Sequence, residues 1–180
     1  MEAVLRTRAS RLLGPALALG LTAVVQGCGF HPLYSTDEGA GSARQVFSSI
    51  YVDPIEGEHI GYELRNSLID NLHGAEKSSD ATYRLKVTVE QYLQGIAVEN
   101  NAAVTRYNYT LNASYELSDT RTNQVIKRGV DRTMSAYDVV ASPYATLVAQ
   151  QDAEKRGATD IAYRIQLELS TYFANHPAPK

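Results

Sequence analysis

The sequence predicts an α/β (α+β) two-layer sandwich. In the order β-α-β-β-β-α, two helices pack on one face of a largely antiparallel four-stranded sheet. Three observations carry this. Two consecutive stretches alternate apolar and polar residues and a third long strand follows them, short polar turns join the three, and an amphipathic helix lies on either side of the set.

The elements follow in order. Val46 to Val52 is rich in β-formers and reads as the first strand, ended by Asp53-Pro54. From Glu58 to Leu72 the period changes: Ile60, Leu64, Leu68 and Leu72 recur every four residues, with Gly74 placed to cap the helix. From Ala81 to Gln91, Tyr83, Leu85, Val87 and Val89 face one side and Thr82, Arg84, Lys86, Thr88 and Glu90 the other. Glu99-Asn100-Asn101 supplies a turn. Val104 to Leu117 then turns Tyr107, Tyr109, Leu111, Ala113, Tyr115 and Leu117 inward, and Arg106, Asn108, Thr110, Asn112, Ser114 and Glu116 outward. A third long strand covers Val125 to Tyr137, with Gly129 as a candidate bulge. Ser142-Pro143 starts the last helix with an N-cap hydroxyl and a proline at the first helical position. It runs to about Phe173 on a stripe of Ala158, Ile161, Ala162, Ile165, Leu169 and Tyr172, with Gly157 a candidate bend.

Ahead of this domain stands a three-part leader. Arg6, Arg8 and Arg11 make a basic segment, Leu12 to Val25 an apolar one of fourteen residues, and Val25-Gln26-Gly27-Cys28 a junction. The apolar run is shorter than the roughly 20 residues a spanning helix needs. Cys28 is the single cysteine of the chain. A small residue before a cysteine at such a junction is the pattern of a bacterial lipoprotein, cleaved before Cys28 and lipidated on its thiol. The expected organisation is therefore a lipoprotein signal peptide over 1–27, a lipidated N-terminus and flexible tether over 28–44, a periplasmic domain over 45–174 and a loose tail over 175–180. Gly29 stands where an Asp would retain a lipoprotein in the inner membrane, which points to the outer membrane.

Charge and motifs narrow the function classes. The chain has 17 Lys and Arg against 20 Asp and Glu; losing Arg6, Arg8, Arg11 and Glu2 with the leader leaves 14 against 19, a net charge of −5. A nucleic-acid partner would want a basic surface. His31, His59, His73 and His176 are scattered, with no H-E-x-x-H, no second cysteine and no G-x-S-x-G elbow. The sequence thus offers no catalytic residues, no metal site and no cofactor. From the residues alone the reading is a lipid-anchored binding or scaffolding domain.

Cys28-Gly29-Phe30-His31-Pro32-Leu33-Tyr34 resembles the mature start of the LptE family of lipopolysaccharide-assembly lipoproteins, in its alphaproteobacterial form. Leu64-Arg65-Asn66-Ser67-Leu68 resembles the family's first helix, Tyr107 to Tyr115 its long central strand, and Gln150-Gln151-Asp152-Ala153 its last helix. The resemblance implies a protein that plugs the LptD outer-membrane β-barrel, assists its assembly, and takes part in inserting lipopolysaccharide into the outer leaflet. It also implies basic residues in contact with lipopolysaccharide near the sheet and helix tips. Here the turn Glu99-Asn100-Asn101 is acidic and polar, and Pro143 to Gln151 has no Lys or Arg. Arg106, Lys127, Arg128 and Arg132 are left as candidates. The polar positions Asn108, Thr110, Asn112 and Ser114 are the candidate barrel-facing surface, since a barrel lumen is polar. Two other readings remain open on the sequence: an auxiliary lipoprotein of a lipid-trafficking ABC transporter, and a periplasmic hydrolase without a recognisable motif.

Overall fold

The computed structural model describes residues 45–75, 78–98 and 104–176. The leader, Cys28, the tether, the Glu99-Asn100-Asn101 turn and the tail beyond His176 lie outside them. The elements are β1 (Ile50–Val52), α1 (Glu58–Leu72), a 3-10 turn over Ser78–Asp80, β2 (Tyr83–Val98), β3 (Val104–Asp119), β4 (Val125–Asp138) and α2 (Pro143–Asn175). The sheet order is β1-β2-β3-β4. β1 runs parallel to β2, and the other two pairings are antiparallel. This is the expected α+β layout, with both helices on one side of the sheet.

The first strand is shorter than the composition of 46–52 suggests. Residues 45–47 form a helical turn instead. The Ser48 and Ser49 hydroxyls donate to the carbonyls of Gln45 and Val46 at 2.9 and 2.7 Å, the local bonding by which serine competes with a ladder. The turn buries Phe47 against Phe173, ring centroids 6.4 Å apart, which a continuing strand would not do.

The predicted α1 boundaries hold to the residue because its apolar stripe is unbroken. Ile60, Leu64, Leu68 and Leu72 are all within 1 % of complete burial. Its cap falls on His73, in the left-handed region at φ 48°, one residue before the glycine expected there. The His73 N–H donates to the Ile69 carbonyl.

β2 continues seven residues past Gln91, although 92–98 lack clean alternation. β3 supplies the missing instruction: Tyr92 pairs with Thr110, Gln94 with Asn108 and Gly95 with Tyr107 before the register slips near Ala97. Gly129 sits in register opposite Tyr115, and the β3–β4 irregularity falls at Leu117/Ser118 instead of at Gly129. The glycine has a different reason. A Cβ there would come within 2.4 Å of the Tyr115 ring, which lies over it. The strand thus gives up a side chain so that a buried aromatic can cover it.

Ser142 caps α2 as expected, accepting from the Ala145 N–H. Ala158, Ile161, Ala162, Ile165 and Leu169 are fully buried. At the last turn Phe173 is the buried residue and Tyr172 only partly so, because Phe173 enters an aromatic group with Tyr83 and Phe47. Gly157 is buried on the same stripe, facing Thr133, Leu111 and Tyr109. The core is one cluster between the helices and the inward residues of all four strands.

Candidate sheet-face interface

Both helices cover the inner face of the sheet, so among the described residues no second layer lies on the outer face. Leu111, Ala113 and Tyr115 are buried on the inner side, and period-two alternation puts Asn108, Thr110, Asn112 and Ser114 on the outer one. The register turns that line into rows across three strands. Lys86, Glu116 and Arg128 form one row; Thr88, Ser114 and Val130 the next; then Glu90, Asn112 and Arg132; Tyr92, Thr110 and Met134; and Gln94, Asn108 and Ala136.

The rows differ in chemistry. At the Lys86 end, Arg128 donates from Nε to the Glu116 carboxylate at 2.8 Å. Beside this pair, the small residues of the Thr88–Ser114–Val130 row leave a shallow, open depression of about 540 Å³, bordered by Lys86, Glu116 and Arg128. Towards the other end the face becomes apolar. Tyr92 and Met134 are exposed there, as is Val130 nearer the Lys86 end, and Thr110, flanked in register by Tyr92 and Met134, is only 9 % accessible. The Tyr92 hydroxyl donates to Glu90 at 3.1 Å, which raises its pKa above the ordinary phenol value. Tyr144, Leu147 and Val148, at the start of α2, are also exposed, in a segment without charge.

The four basic candidates do not share one surface. Arg128 and Arg132 lie on the outer face, two rows apart. Arg106 pairs with Asp138 at 3.3 Å, at the β3–β4 end remote from Arg128. Lys127, one residue from Arg128, points to the helix side and pairs with Glu168 of α2 at 3.3 Å. Reading the strand's alternation through Lys127-Arg128 separates these two. Parity along β2 and β4 also places the apolar side chains of Tyr92, Val130 and Met134 on this face.

Each described histidine has a structural setting. His59 bridges the helices, with Nδ1 2.9 Å from Glu154 and Nε2 3.6 Å from Glu63; Gln150 donates to the other Glu154 oxygen. His73 caps α1, and His176 stacks on Tyr172. His31 lies outside the described residues. Among the described residues there is no group of three His, Cys, Asp or Glu side chains placed to hold a metal. Among them, too, no helix is long and apolar enough to cross a membrane.

The family model LptE, described as lipopolysaccharide-assembly, matches residues 47–169, about two thirds of the chain. The chain belongs to the LptE family. The match runs from the helical turn before β1 to the last turns of α2, so it covers both layers. A Caulobacter crescentus protein described as a lipoprotein has a crystal structure similar to this fold, with 29 % identity and a TM-score of 0.62. That match covers 75 % of this chain and 97 % of the other. The rare lipoprotein B of Shewanella oneidensis (12 % identity, TM-score 0.53, covering 72 % and 98 %) has the same fold. So does a minor lipoprotein of Acinetobacter baumannii (15 %, 0.51, covering 71 % and 95 %). No curated protein matches the chain closely enough to count as a relative. LptE is a non-enzymatic family of envelope lipoproteins, so the role of this chain lies in lipopolysaccharide assembly, within the lipopolysaccharide transport machinery.

Proposed function

We propose that this LptE-family chain is an outer-membrane lipoprotein, anchored through Cys28, that plugs the LptD β-barrel and assists its assembly for insertion of lipopolysaccharide into the outer leaflet. The observation that carries the reading is the uncovered outer face. β2, β3 and β4 are 14 to 16 residues long, yet among the described residues only one side of the sheet they form is roofed by helices. The free side is polar along its midline, at Asn108, Asn112 and Ser114, and is edged by side chains of both charges. A water-lined barrel interior is polar, and such a face can exchange its hydration for hydrogen bonds there without exposing a hydrophobic core. Direct lipopolysaccharide contact on this face falls to Arg128 and Arg132, with Arg106 at its far end. Lys127 would first have to leave Glu168.

The face can be tested without touching the core. Asn108→Arg combined with Asn112→Arg introduces two charges into the midline, where neither side chain contributes to helix packing. The folded domain should keep its circular dichroism spectrum and its urea midpoint. Barrel binding should fall by about two orders of magnitude, since an uncompensated charge buried at an interface costs about 3 kcal/mol or more. The readout is the amount of barrel retained by tagged protein, with entry of large hydrophobic antibiotics into cells as the physiological counterpart. Normal binding by a folded double mutant would mean that this face is only solvated.

A further inference from the structure

A second polar assembly lies on the other side of β4, between that strand and α2, and it has no part in the proposed barrel contact. The inward residues Lys127, Asp131 and Thr133 of β4 face Asp160, Arg164 and Glu168 of α2, which follow one another at four-residue spacing along one side of the helix. Almost every member has a partner. Glu168 accepts from the Tyr115 hydroxyl of β3 and pairs with Lys127. Asp160 accepts from the Thr133 hydroxyl at 2.7 Å and from Arg164 at about 3.1 Å. Asp131 is the exception: its Oδ2 is buried and has no hydrogen-bond partner among the described residues.

Charge counting gives the reason. The seam holds three carboxylates, Asp131, Asp160 and Glu168, but only two cations, Lys127 and Arg164. Both cations are drawn to the other two carboxylates. With the phenol of Tyr115 committed as a donor to Glu168, the seam carries one negative charge in excess, which a single proton would cancel. The group with an orphaned oxygen is where it costs least.

We propose that this seam is an acid-tightened latch, in which Asp131 takes up one proton and thereby clamps the middle of α2 onto the edge strand β4, and in which loss of that proton loosens the clamp. A protonated Asp131 removes the repulsion from Glu168 and Asp160 and no longer has to be held ionised away from water. Once ionised, it sets a third negative charge against two cations in a part-buried seam. The consequence concerns β4, which among the described residues is an edge strand, and whose opposite face carries Arg128 and Arg132. The grip of α2 on β4 therefore bears on the strand that would present those two residues.

The direction of the effect with pH follows. Burial first, then the nearby Glu168, raises the folded-state pKa of Asp131 above the ordinary carboxylate value. A raised value means that the folded state binds the proton more tightly than the unfolded chain does. The stabilisation is fully present below the ordinary Asp range, near pH 3.9, and is lost as pH rises through the raised value. Asp131→Asn fixes the neutral form at every pH.

The test compares full-length wild type with Asp131→Asn in detergent by urea denaturation from pH 4 to pH 8. The two midpoints should lie closest at pH 4, and the variant's should exceed the wild type's by a margin that widens towards pH 8. Amide exchange over residues 160–168 at pH 8 should be severalfold slower in the variant once intrinsic rates are divided out. Carbon-13 titration of the Asp131 carboxyl in wild type provides a reading that does not depend on any variant folding. A midpoint above the ordinary Asp value supports the latch. A midpoint at or below it, a gap in stability that does not change with pH, or a variant less stable at pH 8 would overturn it.

Discussion

Gly61→Ala should destabilise the domain by about 3 kcal/mol, a large part of the 5–15 kcal/mol that holds an ordinary domain together. Gly61 lies in the first turn of α1, buried beside Ile60 and Leu64. A Cβ there would come within 2.3 Å of the Ile55 carbonyl oxygen and 3.0 Å of the Glu56 oxygen. Both are backbone atoms, so no rotamer change relieves the overlap. The helix would have to lift from the connection that follows β1, and Ile60 and Leu64 would lift with it. Gly157→Ala is the matched control. Its Cβ would meet Thr133, Leu111 and Tyr109 at 3.5 to 3.6 Å, ordinary contact distances. Since alanine is favoured over glycine inside a helix by about 0.8–1 kcal/mol, that variant should be as stable as wild type or more so. Urea midpoints of the pair decide the matter. Equal losses in both would mean that α1 does not sit as tightly on the Ile55–Glu56 segment as these distances require.

The other large effect concerns attachment. Cys28→Ala, made in a chain whose first 27 residues are exchanged for an ordinary cleavable secretory signal, should shift the protein from the membrane fraction to the soluble periplasmic fraction in cells lacking the barrel. Each acyl methylene contributes about 0.8 kcal/mol, one chain holds only marginally, and two or three hold stably. Removing the thiol removes the whole anchor at once, because the chain has no second cysteine to take its place. In cells that contain the barrel, part of the mutant should stay with outer membranes, held by the folded domain. Undiminished flotation with membranes when both anchor and barrel are gone would contradict anchoring through Cys28.

Much of the fold was legible because local and tertiary signals agree. The four-residue recurrence of Ile60, Leu64, Leu68 and Leu72 fixes α1, and the alternation through Tyr109, Leu111, Ala113, Tyr115 and Leu117 fixes the buried side of β3. Errors arose where a distant contact outweighed the local pattern. Phe47 is drawn into a helical turn by Phe173, and residues 92–98 become strand because β3 lies alongside. Phe173 is buried in place of Tyr172 because an aromatic cluster awaits it. Gly129 reads locally as a bulge, but the ring of Tyr115, fourteen residues away in sequence, explains it. The candidate interface was legible in part. Parity puts Asn108, Thr110, Asn112 and Ser114 on one face, and the same parity separates the neighbours Lys127 and Arg128 onto the two sides of one strand, which composition alone does not. The orphaned oxygen of Asp131 could not be read from sequence at all, since it depends on where Arg164 and Lys127 send their charges.

The central claim is that this chain works inside an outer-membrane barrel, and purification of the tagged full-length chain from its own outer membranes tests it most directly. The account predicts that one large, heat-modifiable β-barrel protein co-purifies with it in equal amount, survives salt washing, and is lost from the double arginine variant at Asn108 and Asn112. Recovery of the chain alone, or with an inner-membrane permease complex in place of a barrel, would contradict it.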